Sequence, residues 1–84
     1  MTVVRDVILE LREEAHHSGR VPRLRLRVLS EAGVYDLRGE DDAGNLHFRY
    51  QDQRAFCVLQ EFESTLAELQ GDYRTVGVAA AAHG

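Results

Sequence analysis

A strict alternation constrains this chain more than any other feature. From Arg23 to Val28 it reads RLRLRV, with arginine at 23, 25 and 27 and an apolar residue at 24, 26 and 28. Successive side chains of a strand point to opposite faces, so a period of two places Leu24, Leu26 and Val28 on one face and Arg23, Arg25 and Arg27 on the other. The segment therefore reads as a half-buried strand, wet on one side and in need of cover on the other.

Neighbours for it follow directly. In VYDLR, Tyr35 and Leu37 share a face, and in LHFRY so do Leu46, Phe48 and Tyr50. The connecting SEAG and GEDDAGN segments are rich in residues that take positive φ or close a turn. Three strands joined by short turns make an antiparallel meander. A one-residue slip would invert every side chain, so the numbers of facing residues must add to an odd value in both hairpins. Leu24, Leu26, Val28, Tyr35, Leu37, Leu46, Phe48 and Tyr50 then form one apolar face. The opposite face collects Arg23, Arg25, Arg27, Asp36, Arg38, His47 and Arg49.

The flanks read as helices. Val3, Val4, Val7, Ile8, Leu11 and Ala15 recur at three and four, with Thr2 as a usable N-cap and Gly19 and Pro22 as stops. The same spacing returns in Ala55, Val58, Leu59, Phe62, Leu66 and Leu69, between Asp52 as N-cap and Gly71 as stop. Residues 55–59, AFCVL, also fit a short fourth strand, since a brief apolar run does not separate the two; the long helix is preferred. YRTVGV reads as a closing strand. The expected fold is α+β, an antiparallel three- to four-stranded sheet with helices packed on one face, in the order α-β-β-β-α-β. Residues 1–79 form one domain and residues 80–84 a frayed tail with nothing to bury.

A chain of 84 residues buries only about 60–65% of its unfolded surface, so its core is thin, and a homodimer that shares stability between two copies is expected. Two geometries serve: pairing of outer strands, which is favoured here, or the acidic helix of each copy laid on the arginine face of the other. The net charge of −4 argues against bulk attraction to nucleic acid or to an anionic membrane. A lone cysteine and the lack of any apolar run near the roughly 20 residues that span a bilayer point to the cytoplasm, with no membrane contact.

The candidate partner-binding residues are Arg23, Arg25, Arg27, Arg38 and Arg49, set against Asp36 as the one clear carboxylate on their face. The acidic groups are expected elsewhere, on the helices and in GEDDAG. Two readings compete for this face. It is a solvated surface with ordinary ion pairs, such as Arg27 with Asp36 or Arg25 with Glu40, or it docks something negative. An acidic protein surface and a phosphate backbone both fit the second. The order helix, three strands, helix is shared with double-stranded RNA-binding domains, but those place a lysine cluster where this chain reads DQRAFCVLQEFE. A binder of single strands needs exposed aromatics for stacking, and here the register turns Tyr35, Phe48 and Tyr50 to the apolar face.

Catalytic and metal readings are weaker. Glu13 with His16 and Glu14 with His17 have the spacing of helical metal ligands, but a bundle site needs further ligand helices, so no metal is expected. Cys57 reads as a buried small hydrophobe, and nothing orients it towards His47 as nucleophile and base. No glycine-rich phosphate loop or serine elbow appears, and no cofactor is expected. The expectation is a small non-catalytic interaction module that binds protein partners or itself. The alternative is a nucleic-acid-binding accessory protein that uses the arginine face.

Overall fold

The computed structural model describes residues 1–77. Five strands form one antiparallel sheet: β1 (Thr2–Leu11), β2 (Arg23–Glu31), β3 (Val34–Glu40), β4 (Leu46–Asp52) and β5 (Tyr73–Gly77), in the spatial order β4-β3-β2-β1-β5. One helix, α1 (Ala55–Leu69), crosses β2, β3 and β4 on one face. The class is α+β. The expected tail, residues 80–84, lies outside the described residues.

The central meander has the expected parity. Val28 faces Leu37, Leu26 faces Gly39, and Leu37 in turn faces Tyr50. Between β2 and β3 the pair Glu31 and Val34 closes a two-residue turn in which Ala32 has φ 54° and Gly33 φ 80°. Two successive positive φ values match the twist of a hairpin, and Ala32 carries the steric cost that glycine escapes.

The first segment is a correction: residues 2–11 form a strand, not a helix, and the order is β-β-β-β-α-β with five strands and one α-helix. The helix-like spacing comes from a bulge. Val3 faces Leu29 and Arg5 faces Val28, so Val4 is an extra residue that shifts the alternation by one. Val4 thereby joins Val7, Leu9 and Leu11 on the helix side, and the shifted period of two imitates a spacing of three and four. Leu9 lay off the supposed helical stripe, yet it is fully buried. A 3-10 turn over Glu13–Ser18 follows, ended by Gly19 in the left-handed region at φ 82°.

The core sits between α1 and the sheet in two adjoining clusters. Leu26, Val28, Leu37, Val58 and Phe62 form one under the helix. Leu9, Leu11, Ala15, Leu24, Leu69 and Tyr73 form the other, where the 3-10 turn and the end of α1 close over β1 and β5. The Tyr73 hydroxyl donates to the Val21 carbonyl at 2.7 Å, so a phenol that is almost wholly buried keeps a partner. The long-helix reading of residues 55–59 holds. Asp52 accepts a hydrogen bond from the Arg54 backbone N–H at 2.8 Å just ahead of it.

Gly39 has a specific role. A Cβ built there would enter the ring of Phe48, its partner on β4, so the glycine is the floor on which that ring lies. Gly39→Ala is expected to lower stability by about 1–3 kcal/mol through this overlap. Urea denaturation, together with displaced ring resonances of Phe48, checks it.

Candidate interaction surface

Strand β1 decides the character of the face opposite α1. Because residues 2–11 run beside β2, Asp6 faces Arg27, Ile8 faces Arg25 and Glu10 faces Arg23. The carboxylates that a helix would have carried away thus enter the arginine face. Across the middle of the sheet Asp6, Arg27, Arg38 and Arg49 lie side by side in one row. Three neighbouring guanidinium groups repel one another, and carboxylates in the same row and in the rows on either side offset that repulsion.

Those carboxylates are present. Asp6, 4% exposed, takes a bidentate pair from Arg25 at 2.9 and 2.7 Å. Arg27 donates to Glu40. Asp36, 7% exposed, accepts from Arg38 at 2.8 Å and from both Nε and Nη2 of Arg49 at 3.0 and 3.2 Å. Arg74 reaches Glu10 at 3.3 Å, and Arg23 stands 3.8 Å from Asp42. Burial pushes the Asp36 carboxyl up, but the hydrogen bonds from Arg49 and Arg38 outweigh it and hold the group below the usual carboxylate range. The bond to Asp6 raises the Arg25 guanidinium, and the bond to Asp36 raises that of Arg49.

Leu29 shares this face and is 4% exposed, although no second layer of described residues covers it. It stands opposite Asp36 and lines a hollow together with Arg38 and Arg49, and arginine stems screen apolar surface of this kind while their heads stay near water. The five arginines predicted from the sequence therefore do share one face. Arg23, Arg25 and Arg49 are exposed, Arg27 and Arg38 half-buried.

A second bulge redirects β4. Gly39 faces Phe48 and Glu40 faces Leu46, which leaves His47 as the extra residue. Leu46 thus belongs to the arginine face, where it is 48% exposed, and not with Phe48 and Tyr50 as expected. His47 turns instead towards a hollow of 310 Å³ that Leu24, Phe48, Leu69 and Tyr73 also line. Its Nε2 lies 2.9 Å from Asp41, which also accepts from the backbone of Ala43 and Asn45. The contact with His47 and the backbone donors set Asp41 to about 2. A third bulge, at Val76, interrupts the outer strand β5.

His47 stands by the end of α1 and Cys57 by its start, so the two do not meet. Cys57 is half-buried and outside both core clusters, a correction to its expected place in the core. Glu13 and Glu14 open the 3-10 turn and His16 and His17 close it. Among the described residues no group of three or more His, Cys, Asp or Glu is placed to hold a metal ion. None of the described helices is long and apolar enough to cross a membrane.

Asp6 and Glu10 are the partners that the sequence did not place on this face, while Glu40, expected to pair with Arg25, stands opposite it and takes its ion pair from Arg27. The β-branched density of Val3, Val4, Val7 and Ile8 was the available signal, since such residues favour strands over helices. No family model, curated protein or solved structure matches this chain.

Proposed function

We propose that the chain is a small non-catalytic interaction module that binds an acidic protein surface, a second copy of itself included, through the face bearing Arg23, Arg25, Arg27, Arg38 and Arg49. One observation carries this reading: a whole face of the sheet, held rigid by bidentate ion pairs, has no second layer of described residues over it. Its guanidinium groups are already oriented, so a partner meets them at a reduced entropic cost. Carboxylates of the required kind occur on the chain itself, since Glu61, Glu63 and Glu68 are exposed on α1.

For self-association, the face is favoured over the edges. Both outer strands carry a bulge, at His47 in β4 and at Val76 in β5, and bulges are a common means of discouraging edge pairing. Nucleic acid is the second reading, supported by the exposed Arg23 and Arg49. Against it, internal carboxylates answer most of the positive charge, and Tyr35, Phe48 and Tyr50 lie on the other face.

Native size in the source lysate tests the proposal. The chain should migrate in an assembly heavier than its own 9.5 kDa, unchanged by nuclease. Migration as a monomer would reject protein binding. Collapse of the assembly with nuclease, together with affinity for a synthetic duplex that falls steeply with salt, would favour the nucleic-acid reading.

A further inference from the structure

The two sides of the sheet present opposite charge at their outermost layer. On the open face the guanidinium groups stand above the carboxylates they pair with: the side chains of Arg25 and Arg49 are 45% and 46% exposed, those of Asp6 and Asp36 only 2% and 9%. A partner approaching the middle of this face therefore meets guanidinium first. On the other side, α1 reads AFCVLQEFESTLAEL, with Glu61, Glu63 and Glu68 exposed and no basic residue. None of these three glutamates is in an ion pair among the described residues, whereas Asp6, Glu10, Asp36 and Glu40 all are.

Such segregation limits how two copies can meet. In a two-fold dimer each patch contacts itself. Two copies joined through their open faces would press one guanidinium layer on another, and two joined through α1 would set uncompensated carboxylates against carboxylates. Like charges brought together at an interface oppose association. Edge pairing meets the bulges at His47 and Val76. Contact between α1 of one copy and the open face of the next avoids all of these. It also covers apolar surface on both sides: Phe56 is exposed on α1, about two turns before Glu63 and on the same side of the helix, while Val3 and Leu46 are exposed on the open face.

We infer that the chain recognises a second copy of itself head to tail, the acidic outer side of α1 in one subunit lying on the arginine face of the next. This names the partner of the surface proposed above and rests on that reading. Because α1 and the arginine face lie on opposite sides of the sheet, one subunit cannot offer both to the same neighbour. Each added subunit leaves one α1 and one arginine face unused at the two ends, so the assembly grows as an open stack and does not close as a two-fold dimer.

Analytical ultracentrifugation of the purified full chain tests this. The mean mass should rise with concentration through dimer and trimer without a plateau, and fall as salt screens the contact. Two variants then separate the patches. Glu61→Gln, Glu63→Gln and Glu68→Gln together remove charge from exposed helix positions that glutamine suits, and Arg23→Gln with Arg49→Gln removes it from the open face while Arg38 still holds Asp36. Each variant alone should assemble at least about tenfold more weakly than the wild type. Mixed, they should form an equimolar dimer and nothing larger, because the first keeps a working arginine face and the second a working α1. Amide spectra check that both are folded. If the arginine variant does not fold, the glutamate variant added to the wild type should shorten its stacks, since it docks on an α1 and offers none in return. A mass that plateaus at that of a dimer, a variant that assembles like the wild type, a mixture that stays monomeric, or stacks of unchanged length would overturn the head-to-tail contact. A purified chain that is monomeric at every concentration while the lysate assembly persists would also overturn it, and would leave the interaction module standing with a different acidic partner.

Discussion

Phe62→Ala should cost about 3–5 kcal/mol, the usual penalty for deleting a buried aromatic ring, and is the most damaging single change expected in the chain. Phe62 is 2% exposed and lies with Val58 against Leu26, Val28 and Leu37. Among the described residues α1 is the one α-helix that covers this sheet, so no second helix moves in to fill the space. A domain of this size has about 5–15 kcal/mol of stability in total, which makes the loss a large part of it. Phe56 supplies the contrast, being 67% exposed on the same helix. Phe56→Ala should change stability by less than about 0.5 kcal/mol. Thermal unfolding of the two variants checks both, with a fall of more than about 10 °C expected for Phe62→Ala alone. Equal effects would mean that α1 is not seated through Phe62.

Asp36→Ala is expected to have the second largest effect, about 2 kcal/mol. Breaking a fully buried ion pair costs about 3–5 kcal/mol, but Arg38 and Arg49 are partly exposed and recover some hydration, which reduces the figure. The loss should depend on pH in a definite direction. Asp36 is lowered from its ordinary 3.8, and Asp41 and Asp52 lie at about 2. A carboxyl lower in the folded than in the unfolded chain contributes stability that is complete above its unfolded pKa and fades as pH falls through the folded one. The wild-type chain should thus hold a constant urea midpoint from about pH 8 to 5 and lose stability between about pH 4 and 2. Asp36→Ala should start lower and lose less over that acid range. A parallel acid limb in the variant would show that the Arg38–Asp36–Arg49 cluster contributes little to folding.

The arginine face shows where local pattern suffices and where it fails. RLRLRV announces a strand with one wet face because each residue alternates with its nearest neighbours, and no distant contact enters that inference. The parity of both central hairpins follows from the same rule, and the spacing from Ala55 to Leu69 announces α1 because burial on one face demands it. Each bulge breaks that reasoning at a point the sequence does not mark. An extra residue at Val4 turned an alternating strand into an apparent helical stripe, and another at His47 moved Leu46 to the charged face.

By itself, the sequence determined the meander, the long helix and the gathering of Arg23, Arg25, Arg27, Arg38 and Arg49 on one side. These depend on side-chain period within single segments. Only the tertiary structure decided that residues 2–11 pair with both β2 and β5, and so that Asp6 and Glu10 lie among those arginines. The reason is energetic. A segment rich in valine and isoleucine, whose apolar spacing fits either form, takes the conformation in which its backbone groups and its carboxylates both find partners. Those partners, from Arg23 to Ser30 and from Tyr73 to Gly77, are remote in the chain and adjacent only after folding.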